Sequence, residues 1–248
     1  MSEHIEELRE AMDEIIEGGW YKSTRKGPTG IGKTFEDLLK KEEDNHDLPD
    51  FHDIEIKTHE ASVNALITLF TKSPTNPRGA NSYLRENYGK LNEYGLKKLH
   101  ATVIATKKTN SLTYDYDFQI KVDWENELII LNVFDKDNNV VDDSIFWSFE
   151  SLEKQITKKL KYVAVIHTES KIVENEKYYN YKSAKLLRGL NVHGLCKGIE
   201  NGDVKVDIRI GVYNSGKNKG KTHDHGTAFR IFYRDLFKYG ETEIITEK

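Results

Sequence analysis

Between Leu48 and Thr58 the chain reads Leu-Pro-Asp-Phe-His-Asp-Ile-Glu-Ile-Lys-Thr, and this stretch restricts the possible folds more sharply than any other. From Ile54 onward apolar and charged residues alternate, which is the period of a β-strand with one buried face. Ile54 and Ile56 therefore point into a core, and Glu55 and Lys57 share the opposite face. Asp50 lies an odd number of positions before Glu55, so on a straight strand it would face the other way. A bend or hairpin arm over residues 49–53 must bring it round.

Two carboxylates and a lysine on one short segment suit phosphodiester hydrolysis. Hard oxygen ligands hold Mg²⁺, the metal polarises the phosphate and acidifies a water, and an ammonium steadies the attacking hydroxide or the developing charge. The expected metal ligands are Asp50, Glu55 and, between the charged pair, Ile56; Lys57 is the electrostatic partner. The same letters also fit a charged strand face beside a turn, and the bare spacing does not separate the two readings.

Three ordered blocks do separate them. Leu48-Pro49-Asp50 with Glu55-Ile56-Lys57, the upstream Gly30-Ile31-Gly32-Lys33-Thr34-Phe35-Glu36, and His223-Asp224-His225-Gly226-Thr227-Ala228-Phe229-Arg230-Ile231 resemble the MutH-like branch of the PD-(D/E)xK nucleases. Within that branch the chain resembles the MvaI/BcnI group of restriction endonucleases, essentially end to end. The resemblance implies an α/β fold, a mixed-sheet nuclease core with a C-terminal DNA-recognition lobe. It implies that Glu36 is an outer carboxylate of the metal site, and that the enzyme is a Mg²⁺-dependent type II deoxyribonuclease cutting double-stranded DNA at CC(A/T)GG. The branch also contains a mismatch-repair nicking enzyme, which is the near alternative. A DNA-binding module without activity is a further one, and it would bind without Mg²⁺ and yield no product.

Composition sets outer limits. With 248 residues, 37% of them hydrophobic, the chain can bury a full core, as one domain or two lobes. The expected division is a catalytic lobe over residues 1–186 and a recognition lobe over 187–248, with duplex DNA between them. No apolar run approaches membrane-spanning length, and the acidic start, Met1 to Glu17, is unlike a secretion signal, so a cytoplasmic location is expected. A monomer is expected as well. The single Cys196 excludes an internal disulfide and a cysteine metal cluster. A net charge of −4 argues against a protein that coats nucleic acid everywhere. Lys22, Arg25, Lys26 and Lys33 nevertheless cluster without acids over residues 18–34. Lys217, Lys219, Lys221, Arg230, Arg234 and Lys238 stand against only Asp224 and Asp235 over residues 215–238. These segments suit a basic cleft or, equally, two solvated loops.

Gly27 to Thr34 also matches the phosphate-binding string G-x-x-x-x-G-K-[ST], and Leu128 to Asp135 resembles the strand such enzymes use for magnesium. A P-loop NTPase is therefore the rival enzyme class. A working P-loop must leave a buried strand, however, and residues 19–26 hold no run of β-branched residues.

Along the chain, Ile5, Leu8, Met12, Ile15 and Ile16 space a helix that Gly18-Gly19 ends, and Thr34 to Asp37 has the form of a capping box opening a helix to about Asp44. Strands are expected over residues 66–70, 100–106, 114–122, 127–134, 144–149, 162–166 and 178–181. Helices are expected over 81–88 and around Leu152, Ile156 and Leu160. Asp135 to Asn139 reads as an Asx-rich turn. Val204, Val206, Ile208, Ile210 and Val212 alternate with polar residues, so one strand presents Asp207, Arg209 and Tyr213 on an open face. Carboxylate and guanidinium there can read a C·G pair in the major groove. His223, His225 and Arg230 add donors from a Gly-rich loop, and Lys33 and Arg25 are the expected phosphate contacts. An Asp207–Arg209 ion pair and a His-x-His metal site are the competing readings.

Overall fold

The computed structural model describes residues 3–39, 48–61, 64–109, 112–224 and 226–247. In chain order the elements begin α1 (Glu3–Gly18), β1 (Trp20–Lys22), α2 (Gly30–Leu38), β2 (Ile54–Glu60), β3 (Leu66–Thr71), α3 (Ala80–Tyr88), β4 (Lys90–Leu91) and β5 (Lys97–Val103). They continue with β6 (Asp117–Asp123), β7 (Leu128–Phe134), β8 (Val140–Ser148), α4 (Phe149–Lys159), β9 (Tyr162–Val173) and β10 (Glu176–Arg188). The last are α5 (Val192–Glu200), β11 (Val204–Val212), β12 (Thr222–Asp224), β13 (Ala228–Phe232), α6 (Tyr233–Leu236) and β14 (Glu241–Glu247).

Two compact units emerge, and they interleave along the chain. The first is built from Met1–Ile67, Ile156–Leu190 and Tyr233–Lys248, and the second from Thr68–Gln155 and Asn191–Phe232. The division is thus not the single cut between residues 186 and 187 that the change of texture suggests. Main-chain hydrogen bonding explains why. β14 returns to pair antiparallel with Ser183–Arg188 of β10, so the C-terminus completes the first unit's sheet, and β11 takes β5, from the middle of the chain, as its neighbour.

The first unit carries a mixed sheet in the order β1-β10-β9-β2, with β14 also on β10. β2 runs parallel to β9, and α4 leads into β9, so the sheet has the helical crossover that parallel neighbours require. Ile5, Leu8, Met12, Ile15 and Ile16 of α1 are buried with Phe35, Ile54, Ile56, Ala164, Ile166, Ala184 and Leu186, so α1 and α2 cover one face of this sheet. Tyr179 and Tyr181, two residues apart on β10, fill the same core.

α2 differs from expectation. It begins at Gly30, not at the Thr34 capping box, and Thr34 is buried inside it, its hydroxyl taking the Thr24 N–H at 3.0 Å. Gly30 is required there, because a Cβ would lie 2.4 Å from the Arg25 carbonyl oxygen. The expected continuation to Asp44 falls outside the described residues beyond Leu39.

The second unit holds the sheet β3-β13-β11-β5-β4, with β12 also on β11, and the antiparallel sheet β6-β7-β8. Trp147 is fully buried, edge-on to Phe229 at 5.7 Å, and Phe229 stacks on Phe70 at 4.9 Å. Burial of roughly 200 Å² of ring surface at each such position makes this cluster the anchor of the unit. The β7–β8 connection is the expected Asx turn, with the Asp135 carboxylate taking the Asn139 N–H at 2.8 Å.

Candidate active site and reading face

The bend before β2 closes tightly. Phe51 and Ile54 exchange main-chain hydrogen bonds at 2.9 and 2.8 Å, and His52 between them adopts a positive φ of 53°. Such a conformation costs a non-glycine residue about 1 kcal/mol or more, so the surroundings must hold it. They do so from both sides. The Asp53 carboxylate contacts His4 of α1 at 3.0 Å and Lys161 at 2.9 Å, and His52 contacts Glu7 of α1 at 2.9 Å while its ring stacks on His4.

This turn brings Asp50 to the strand it precedes. Its Oδ2 accepts the Ile56 N–H at 3.0 Å. β2 is the edge of its sheet, with β9 on its other side. N–H and C=O of one strand residue point the same way, so the Ile56 carbonyl also faces the open edge, on the side of Asp50.

Glu55 lies on the face opposite Ile54 and Ile56, yet it is only 3% exposed. Burial pushes its pKa up, the Asp50 carboxylate pushes it further, and the Lys57 and Lys159 ammonium groups oppose the shift. Lys57 Nζ donates to Oε1 at 2.6 Å, and Lys159, on the last turn of α4, stands 3.8 Å from the same oxygen. Oε2 is buried and, among the described residues, accepts no hydrogen bond. A buried carboxylate oxygen normally has a donor, because leaving one unmet costs about 1–3 kcal/mol or more.

That orphaned oxygen, the neighbouring Asp50 and an outward main-chain carbonyl fit a hard divalent cation. Among the described residues no three His, Cys, Asp or Glu side chains gather closely enough to hold a metal alone. Mg²⁺ does not need three, since it commonly keeps several waters and takes one or two carboxylates plus substrate phosphate. A Cβ at Gly32 would lie 4.0 Å from the Glu36 Oε1 and 3.6 Å from the Thr58 Oγ1, so this carboxylate curls back along α2 beside the β2 face that carries Ile54 and Ile56. Lys33 makes an ion pair with Asp37 one turn on. Arg25 lies in the bend before α2, where its carbonyl accepts the Ser23 hydroxyl at 2.7 Å. The P-loop reading fails on its frame: β1 is a three-residue strand, and the string is already helical at Gly30.

The second unit assembles the other expected residues. Asp207, Arg209 and Tyr213 alternate with the buried positions of β11. Arg230 of β13 is in register with Lys205, and His223 of β12 with Gly211, so both join the same face. The His223 ring stacks on Tyr213 at 4.4 Å. His225 lies outside the described residues. Asp207 departs from expectation: it is buried, and its oxygens take the Thr102 hydroxyl at 2.7 Å and Arg230 Nη1 at 2.8 Å, so the contacts of this carboxylate run across strands to Arg230 and Thr102. Thr102 and Lys159 had no signal in the sequence, because only strand register and the α4–β9–β2 crossover bring them in.

The sequence profile described as the MvaI/BcnI restriction endonuclease family matches residues 9–238. The chain is 61% identical to the solved restriction endonuclease MvaI in its complex with cognate DNA substrate, covering 99% of this chain and 100% of that one with a TM-score of 0.92. Against MvaI solved in the absence of DNA the identity is 60%, the coverage 99% of each chain and the TM-score 0.71. No curated protein sequence matches the chain. A profile that takes in segments of both units, together with end-to-end likeness to MvaI, makes this chain a restriction endonuclease of the MvaI/BcnI family.

Proposed function

We propose that this restriction endonuclease is a Mg²⁺-dependent, type II, site-specific enzyme that cuts double-stranded DNA at CC(A/T)GG, acting as a cytoplasmic monomer against foreign DNA. The observation that carries the metal-dependent part is the buried Glu55 Oε2, which has no hydrogen-bond donor among the described residues and lies beside Asp50 at an open strand edge. The cognate DNA complex of MvaI supports duplex DNA as the partner.

Asp50, Glu55 and the Ile56 carbonyl would hold the ion. When bound, Mg²⁺ supplies polarisation of the scissile phosphate and a water acidic enough to attack near neutral pH. The chain's own groups do the rest. Lys57, 2.6 Å from Glu55, favours the ionised form of that carboxylate and orients it, and its ammonium donates to the attacking oxygen or to the charge that grows on the phosphate. Glu36 tunes the site from across β2. On the other unit Arg209, Arg230, His223, His225 and Tyr213 read the base pairs, with Asp207 holding Arg230 in place; on the first unit Lys33 and Arg25 contact phosphates.

The test is incubation of the purified protein with plasmid DNA and Mg²⁺, followed by sequencing of the ends. Both strands cut at CC(A/T)GG is the expected result. Nicking of one strand, a different site, or cleavage undiminished by a chelator would overturn the corresponding part of the proposal.

A further inference from the structure

On the open face of the second unit's sheet, His100 of β5 stands directly opposite Arg209 of β11. Its main-chain N–H donates to the Tyr114 hydroxyl at 2.8 Å, and that hydroxyl lies 3.3 Å from its carbonyl oxygen. Neither group is directed at β11, so His100 and Arg209 form a non-hydrogen-bonded antiparallel pair. In such pairs the Cα atoms approach to about 4.5 Å and the side chains come closest. Tyr114 is buried, so the main chain carrying His100 is gripped from the core while the imidazole remains exposed. Further along, Lys98 of β5 pairs with Lys90 of β4, and Gly211 of β11 pairs with His223 of β12. A depression of about 520 Å³ follows, lined by Lys90, Lys98, His100, Gly211, Asn214 and His223.

We propose that His100 is a specificity-determining residue, whose imidazole contacts a base edge beside the one taken by Arg209. The proposal rests on the reading of this face as the DNA-reading surface. Its chemistry follows from what Arg209 lacks. A guanidinium only donates, which suits guanine O6 and N7, whereas a neutral imidazole also accepts. The amino group of the cytosine paired with that guanine needs an acceptor. Asp207, the carboxylate on the same strand, already serves Thr102 and Arg230. His100 places an exposed imidazole, a side chain that can accept as well as donate, directly opposite Arg209.

The experiment uses the full chain with His100→Ala, His100→Gln, His100→Lys and Arg209→Ala. Binding is measured without divalent metal, on a labelled duplex carrying the site found by end sequencing and on an unrelated duplex. His100→Ala and His100→Lys should weaken binding to the site by about 5- to 100-fold and leave the unrelated duplex nearly unchanged. His100→Gln keeps an acceptor and should retain most of the affinity. If His100→Lys binds the site as well as wild type, or if all three His100 variants weaken both duplexes equally, the proposal is overturned. Loss of preference in Arg209→Ala with none in the His100 variants overturns it while leaving the reading face intact. If Arg209→Ala also keeps the preference, the reading face itself falls.

Discussion

Removing either partner of the Asp207–Arg230 pair should destabilise the second unit, and unequally. The Asp207 side chain is 11% exposed and that of Arg230 27%, with 2.8 Å between them. Arg230→Ala leaves a nearly buried carboxylate supported by the Thr102 hydroxyl. Fully buried pairs lose about 3–5 kcal/mol when one partner goes and exposed ones about 0–1, so about 2–3 kcal/mol is expected here. Asp207→Ala leaves a guanidinium that still reaches water at one edge, and should cost about 1–2 kcal/mol. In the double variant the stranded charge is gone, so the two costs should fail to add by about 1–2 kcal/mol. Urea unfolding followed by tryptophan fluorescence measures this, because buried Trp147 reports on the second unit while Trp20, in the first, is already half-exposed. Costs that add within about 0.5 kcal/mol, or a larger cost for Asp207→Ala than for Arg230→Ala, would refute the reasoning from desolvation.

Asp50→Asn keeps an oxygen for the Ile56 N–H but loses the charge, so cleavage should fall at least a thousandfold while site binding persists; full activity would remove Asp50 from the site. Glu36→Ala should cost less, about 10- to 100-fold in Mg²⁺ requirement or rate, read from a metal titration of cleavage. Lys33 pairs with Asp37 inside a helix, so the protein should show no saturable ATP binding in an equilibrium titration; binding that Lys33→Ala abolishes would restore the NTPase reading. Asp142 sets a pH dependence. Burial alone would raise its pKa, but hydrogen bonds from Tyr88, Ser144 and Tyr83 outweigh it and hold the value below the ordinary aspartate range. A depressed carboxylate contributes stability above its unfolded pKa and loses it as pH falls through the folded one, so Asp142→Asn should flatten the acid side of the second unit's stability profile.

Much of the fold was legible wherever the signal is local. The spacing of Ile5, Leu8, Met12, Ile15 and Ile16 marks α1, and the alternation from Val204 to Val212 marks β11, because a helix or strand face is written in consecutive residues. The parity of Asp50 against Glu55 even called for the bend that His52 makes. Division into units was not legible, since it depends on β5 meeting β11 and β14 returning to β10, pairings between segments far apart in sequence. For the same reason the cross-strand contacts of Asp207 could not be read from the sequence. Arg209 is the neighbour in sequence, but Arg230 and Thr102 are the neighbours across the strands.

Glu55 illustrates the other limit. Alternation places it on the face opposite Ile54 and Ile56, and a charged residue opposite a core face is ordinarily solvated. Here the second face is covered as well, so the carboxylate is buried with Lys57 and Lys159 on one oxygen and, among the described residues, no donor on the other. Binary patterning reports polarity, not burial, and so cannot distinguish a solvated glutamate from one kept dry. The distinction matters chemically. A solvated carboxylate gains little on meeting a cation, because it must give up water to do so, whereas a desolvated one with an unmet oxygen gains the full contact. On the proposed role of Glu55, a cation bound there would offset that cost, so the proposed functional position is also the one where local pattern and tertiary environment disagree.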